Sequence, residues 1–348
     1  MRKVKTGVYL GLLLVVLLAP DLISVNAQTG AGTANIRLRD AMDIDGNDYA
    51  DFRFYRPSEE KWYLYKNNCS SSCTSDTYFD GLPDDDIITP GDYDGDGKGD
   101  ISVWRKSTGY WHRVNSSTGN TVSVAWGTVG DEPVARDYDG DGKTDLAIAR
   151  RDKTTGLMTW WVLRSSNGSY FSTQWGLSTD FAAPGDYDGD GKFDLTVQRI
   201  GTSPSSAGTF YSLKSSTGGY ESLNWGAGDD RAVPGDYDGD GKTDYAVVRE
   251  WDTSNTNLVW TIRKSSNASQ LQISYGLTCK NGVSACDANL TQNDYDGDGI
   301  TDLSVWRTDF SSGNSTFYYL RSTTNFANSS SVQWGVSSDY PVASYDAH

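Results

Sequence analysis

The sequence predicts an all-β propeller of six four-stranded blades, with seven blades as the alternative, and three observations predict it. An acidic phrase returns at a nearly fixed interval along the chain. Each copy is followed by a short strand of alternating apolar and polar residues. Gly-, Ser- and Asn-rich turns punctuate every interval, and no stretch after the N-terminal segment carries a helical period.

The acidic phrase reads DYDGDGKGD from Asp92, DYDGDGKTD from Asp137, DYDGDGKFD from Asp186, DYDGDGKTD from Asp236 and DYDGDGITD from Asp294. A degraded copy, DIDGNDYAD, starts at Asp43. The starts lie 49, 45, 49, 50 and 58 residues apart, the length of a four-stranded blade. Each unit is justified strand by strand. A lead-in such as RAVPGD (Arg231 to Asp236) enters the loop. The loop leaves into FRFYR, ISVWR, LAIAR, LTVQR, YAVVR or LSVWR. A third strand carries Trp62, Trp111, Trp160, Phe210, Trp260 or Phe317. A fourth ends in Trp126-Gly127, Trp175-Gly176, Trp225-Gly226, Tyr275-Gly276 or Trp334-Gly335, with Asp80-Gly81 in the first unit. The C-terminal DYPVASYDAH resembles one more lead-in, giving seven lead-ins for six loops. It either closes the ring on the first blade or begins an unfinished seventh.

The loops place oxygens at positions 1, 3, 5 and 9, and a carbonyl at position 7 is a further candidate. The predicted metal ligands are Asp43, Asp45, Asn47 and Asp51; Asp92, Asp94, Asp96, Lys98 and Asp100; Asp137, Asp139, Asp141, Lys143 and Asp145; Asp186, Asp188, Asp190, Lys192 and Asp194; Asp236, Asp238, Asp240, Lys242 and Asp244; and Asp294, Asp296, Asp298, Ile300 and Asp302. Carboxylates this dense repel one another without a cation, and an all-oxygen set with neither His nor Cys points to up to six Ca2+ ions. An EF-hand is excluded: it needs a bidentate Glu at position 12, where this chain has Phe54, Val103, Ile148, Val197, Val247 or Val305. The first loop is expected to bind most weakly, because Asn47 replaces a carboxylate and Asp48 replaces a glycine.

These loops, with the WG…D…PGD lead-ins, resemble the FG-GAP/VCBS repeats of integrin α-chain propellers and of many exported bacterial proteins. The resemblance implies a propeller with structural calcium on one face and ligand contacts on the opposite one. The strand after the loop ends in Trp-Arg or a variant rather than Gly-Ala-Pro, which argues against integrin-like signalling.

Residues 1–27 read as a secretory signal peptide. Arg2, Lys3 and Lys5 precede an apolar run from Val8 to Ala19, too short to span a bilayer, and Val25-Asn26-Ala27 offers a cleavage site. Residues 28–348 then form a single domain, secreted or, in a bacterium, periplasmic or at the cell surface. The whole chain has a formal charge of −16, and this acidity argues against nucleic acid or anionic lipid as a partner. The cysteines fall in two close pairs, Cys69 with Cys73 and Cys279 with Cys286. Two local disulfides are expected, since zinc suits neither the spacing nor an exported chain.

Arg56, Arg105, Arg150, Arg199, Arg249 and Arg307 recur at one position. Ion pairing with a neighbouring strand is preferred to an anion-binding ring, and the recurrent Trp residues are read as inter-blade packing. Trp161 and Trp251, outside the register, are candidates for an exposed platform. The non-repeating segments 200–208, 250–257 and 277–292 are candidate ligand loops. The only histidines are His112 and His348, so Ser-His-Asp and Cys-His catalysis have little to work with. The expected function is a secreted calcium-binding adhesion module for a glycan or a surface protein. A propeller-type polysaccharide lyase or hydrolase acting through a carboxylate pair is the alternative, and a structural envelope or matrix protein the second.

Overall fold

The computed structural model describes residues 41–78, 86–203, 205–250, 257–278 and 285–343. They form six four-stranded antiparallel sheets, and no α-helix occurs among them. The first blade holds β1 (Phe52–Arg56), β2 (Lys61–Tyr65) and β3 (Thr74–Tyr78). The second holds β4 (Asp86–Ile88), β5 (Ile101–Arg105), β6 (Tyr110–Val114) and β7 (Thr121–Ala125). The third holds β8 (Glu132–Pro133), β9 (Leu146–Asp152), β10 (Leu157–Leu163) and β11 (Tyr170–Leu177). The fourth holds β12 (Phe181–Ala182), β13 (Leu195–Arg199), β14 (Ala207–Leu213) and β15 (Tyr220–Ala227). The fifth holds β16 (Arg231–Ala232), β17 (Tyr245–Arg249), β18 (Asn257–Arg263) and β19 (Gln270–Leu277). The sixth holds β20 (Ala285–Leu290), β21 (Leu303–Asp309), β22 (Asn314–Leu320) and β23 (Ser329–Val336).

The surplus lead-in closes the ring. β24 (Tyr340–Pro341) pairs with β1, Pro341 opposite Phe54 and Tyr340 opposite Tyr55, and the Val342 N–H donates to the Arg53 carbonyl at 2.9 Å. The first blade therefore takes its missing strand from the C-terminal end. The blade count is six, and the seventh-blade alternative falls.

The apolar core lies between blades. Trp160, Met158 and Val162 of β10 meet Phe193, Leu195 and Val197 of the fourth blade, and Phe52 and Phe54 meet Trp306 and Phe317 of the sixth. Trp62, Trp104, Trp111, Trp160, Trp260 and Trp306 are essentially inaccessible to solvent; truncating one such ring to alanine costs about 3–5 kcal/mol. The Trp-Gly tryptophans reach across the gaps. The indole N–H of Trp126 donates to the Trp161 carbonyl, that of Trp175 to Tyr211 and that of Trp225 to Thr261, each in the next blade. The repeated tryptophans are packing residues, as their register predicts.

The repeated arginines are structural. Arg56, Arg105, Arg150, Arg199, Arg249 and Arg307 pair with Asp339, Asp86, Asp131, Asp180, Asp230 and Asp287 at 2.7–2.9 Å. Asp180 shows the logic. It accepts from Nε and Nη2 of Arg199 at 2.8 Å each and from the Leu177 N–H of the preceding blade at 2.8 Å. One buried carboxylate thus staples two blades at the end opposite the acidic loop. The guanidiniums of Arg199 and Arg307 also lie over Tyr211 and Tyr318, at 4.5 and 4.3 Å.

Cys69 and Cys73 form the expected disulfide, in the turn between β2 and β3. Cys286 is buried and disulfide-bonded; Cys279, its expected partner, lies outside the described residues, as do the signal segment, Asp80-Gly81 and Trp251. Among the described residues no helix is long and apolar enough to cross a membrane.

Candidate metal centre

In the second to sixth blades the acidic loop joins the first strand to the second, in the first blade it leads into β1, and its carboxylates organise its own backbone. In the third blade, Asp137 accepts the N–H groups of Gly140 at 2.6 Å and Gly142 at 2.7 Å. Asp145 accepts the Tyr138 N–H at 2.9 Å and the Ser165 N–H at 2.7 Å. Asp141 takes the Lys143 N–H and the Ser165 hydroxyl, both at 2.9 Å, and Oδ2 of Asp139 takes the Ser166 hydroxyl at 2.6 Å. Oδ1 of Asp139 is buried and has no partner. The same atom is orphaned in Asp45, Asp94, Asp188 and Asp238.

This is a donor set with one acceptor held back. Acidic oxygens of Asp43, Asp45 and Asp51 lie within 4.8 Å of one another, as do those of Asp92, Asp94 and Asp96, of Asp137, Asp139 and Asp145, of Asp186, Asp188 and Asp194, and of Asp236, Asp238 and Asp244. Oxygen-only ligands with an unsatisfied buried carboxylate oxygen fit a hard divalent cation. Positions 1, 3 and 9 converge in four of these groups and positions 1, 3 and 5 in the loop at Asp92. Asp190, Asp240 and Asp298 accept the N–H of position 7, as Asp141 does, and Asp294, Asp296 and Asp302 repeat the hydrogen bonds of the other loops.

Burial dominates the acidity of the position-9 carboxyls. It pushes Asp51, Asp194 and Asp244 up to about 7, Asp145 to about 6 and Asp302 to about 8, despite the N–H bonds that oppose the shift. Neighbouring position-3 carboxylates push the same way, so a cation would relieve both causes.

The loops also interlock. The N–H at position 8 of each loop donates to the position-1 carbonyl of the preceding one: Gly99 to Asp43, Thr144 to Asp92, Phe193 to Asp137, Thr243 to Asp186, Thr301 to Asp236 and, closing the circle, Ala50 to Asp294, at 2.6–2.9 Å. The position-7 side chain lies across the glycine at position 4 of the preceding loop. A Cβ on Gly95 would sit 2.6 Å from Lys143, and one on Gly297 2.6 Å from Tyr49. Lys98, Lys143, Lys192, Lys242 and Ile300 therefore each cover a neighbouring loop, a role that ligand spacing alone does not reveal. The Ser-Ser or Ser-Thr pairs at Ser116, Ser165, Ser215, Ser265 and Ser322 were also missed as loop partners; their signal is their recurrence in the turn after the third strand.

The first loop departs as its sequence predicts. Asp48 takes φ +69° where the other loops have glycine, and Asn47 turns its amide to the Asn67 carbonyl at 2.9 Å. Arg53 is wholly buried behind this loop. It donates to the carbonyls of Ala41 and Asp100, and burial lowers it to about 10. Trp161 is no open platform: it is half-buried, with Tyr170 stacked on it at 6.2 Å and the Arg150 guanidinium 5.5 Å from its ring.

Residues 137–197 match the FG-GAP-like repeat family. No curated protein matches the chain. Solved structures that resemble it include an arginine-to-alanine mutant of AofleA from Arthrobotrys oligospora, at 10% identity and TM-score 0.47, covering 86% of this chain and 91% of that one. Hydrazine synthase of Kuenenia stuttgartiensis follows at 12% identity and TM-score 0.42, covering 89% and 99%. An oligogalacturonate lyase in complex with manganese stands at 9% and 0.40, covering 75% and 74%. Likenesses this distant carry no argument about function.

Proposed function

Because the chain is an FG-GAP-repeat β-propeller, we propose that it is an exported binding module for a glycan, its ring held together by calcium. One observation carries the binding reading. The repeated charged side chains face one another, in acidic loops and arginine staples, whereas no exposed aromatic recurs in every blade: Tyr170 and Tyr220 share one position in two blades, and Phe181 and Tyr340 share another. Tyr110 is 42% exposed, Tyr170 61%, Tyr220 71% and Phe310 60%. A rigid repeated frame that displays aromatics on only some of its blades is the division expected of a recognition scaffold.

Calcium is the ion the loops fit best. Asp137, Asp139, Asp141 and Asp145, with the Lys143 carbonyl, and their counterparts in the other blades would hold it. Bound there, the ion supplies positive charge to buried carboxylates and no chemistry. Magnesium retains more water and asks for stricter octahedra than a flexible loop provides. The Cys69–Cys73 disulfide supports an oxidising compartment, in keeping with the N-terminal export signal.

The test is to incubate the protein lacking residues 1–27 with a panel of immobilised polysaccharides at about 1 mM calcium, the range of extracellular sites, and in chelator. Calcium-dependent retention without new chain ends is expected. Release of new chain ends would instead make the protein a lyase or hydrolase.

A further inference from the structure

The outermost strands of the third and fourth blades differ from the rest. In β11 the side chains of Tyr170, Ser172 and Gln174 are exposed while Phe171, Thr173 and Trp175 turn inward; in β15 Tyr220, Ser222 and Asn224 are the exposed set. The corresponding rows elsewhere are Thr121, Ser123 and Ala125 in β7, Gln270, Gln272 and Ser274 in β19, and Ser329, Ser331 and Gln333 in β23. Among these five rows, those of the third and fourth blades alone combine an aromatic, a hydroxyl and an amide. Each tyrosine leans at a tilt against the Trp-Gly tryptophan of the preceding blade, Tyr170 with its ring 5.7 Å from Trp126 and Tyr220 with its ring 5.9 Å from Trp175, and Tyr170 also stacks on Trp161 of its own blade at 6.2 Å. These tryptophans are themselves tied by their indole N–H to the next blade, so the platforms have a fixed base.

We propose that these two rows are saccharide-stacking subsites for a neutral polysaccharide. This rests on the glycan-binding reading above and gives it a place. Three properties select the ligand. The tyrosine offers an apolar face with a polar tip, which suits a sugar ring's C–H face and its hydroxyls. The hydroxyl and amide follow at every second residue, about 7 Å apart along the strand, so hydrogen-bonding groups continue in one line. Thr209 donates to Oδ1 of Asn224 at 2.9 Å, which leaves the amide N–H groups facing outward. Finally, neither row contains a charge, and the charged groups beside them are paired, Lys214 with Glu221 at 2.7 Å and Arg150 with Asp131 at 2.7 Å. A chain of formal charge −16 repels an anionic polymer. The two rows lie on neighbouring blades, so one polymer engaging both gains from a second, effectively intramolecular contact.

The experiment is affinity electrophoresis of the calcium-loaded protein through gels containing a neutral β-glucan, a mannan or a galactan. Y170S, Y220S, the double variant and Q174A are run beside it, and melting curves confirm that each is folded. The wild type should be retarded by one of the gels. Either tyrosine variant should weaken retardation about tenfold, the double variant should abolish it, and Q174A should weaken it less. Retardation of the wild type with no loss in the folded double variant would overturn these subsites while sparing the glycan reading. No retardation in any gel would overturn both. Capture on an immobilised extended peptide alone would assign the edge to strand addition and overturn the saccharide assignment.

Discussion

Removing the divalent cation should unfold the ring, and the size of the effect follows from the loops. Five of them hold a buried position-3 carboxylate oxygen without a partner. A site bathed in free ion at about 100 times its dissociation constant contributes roughly 2.7 kcal/mol, so five sites contribute about 14 kcal/mol. That matches the whole stability of a typical domain, about 5–15 kcal/mol. At about 2 °C per kcal/mol for a large domain, the melting temperature should fall by more than about 20 °C on chelation. The loops form a closed circle of position-8 to position-1 hydrogen bonds, so the loss should be collective. Calorimetry in about 1 mM calcium and in excess chelator measures it. Melting that shifts by only a few degrees would refute the reasoning, because the orphaned oxygens would then be satisfied without an ion.

Three further outcomes are expected. Arg199→Ala strips the buried Asp180 of two of its three donors and should cost about 2–4 kcal/mol, below the full buried-pair range because the arginine is partly exposed; in a urea-denaturation cycle, adding Asp180→Ala should recover part of that loss. Asp48→Gly removes a Cβ from a residue at φ +69° and should stabilise the calcium-loaded protein by about 1 kcal/mol and tighten the weakest site, read by melting and by titration calorimetry. In resin-stripped, metal-free protein the buried carboxyls of Asp145, Asp194, Asp244 and Asp302 hold their protons up to about 6, 7, 7 and 8, against about 3.9 when unfolded. Their favourable contribution is complete below about pH 4 and is lost as pH rises through 6–8, so stripped protein should melt higher at pH 5 than at pH 8. Calcium should reverse that order, because ions and protons compete for the same oxygens; a stripped protein that gains stability toward pH 8 would contradict the assignment.

The fold was legible because each blade repeats both its pattern and its punctuation. Alternation gave the strands, and the acidic phrase marked the entry to the second strand in every unit. The arginine staples were legible as pairs but not as partners, since Arg56 meets Asp339 from the far end of the chain. Closure by β24 was readable only as one of two options, because a surplus lead-in looks the same whether it ends a ring or begins a blade. The position-7 residues were misleading in one respect: ligand spacing assigns them only a carbonyl, whereas their side chains pack on the neighbouring loop. The tyrosine platforms were hidden for a different reason. Tyr170 and Tyr220 begin ordinary edge strands, and what sets them apart is the tryptophan of the preceding blade against each ring.

The first blade departs from the repeat for a reason that its place in the chain explains. In the other blades the loop follows directly from the first strand, and the position-2 tyrosine bonds back to it: the hydroxyls of Tyr93, Tyr237 and Tyr295 donate to Thr89, Val233 and Thr291 at 2.7 Å. In the first blade that strand is β24, which pairs with β1 from the far end of the chain. Position 2 is Ile44, and the anchoring task passes to Arg53. Its side chain holds the incoming chain at Ala41 and the second loop at Asp100, while its backbone carbonyl receives the closing Val342 N–H. A buried arginine is costly unless its donors are used, and the other blades place Ser102, Ala147, Thr196, Ala246 or Ser304 at this position. The exception in the repeat is therefore the fastening of the ring: the side chain of Arg53 holds the first loop against the second, and its backbone carbonyl takes the strand that arrives from the other end.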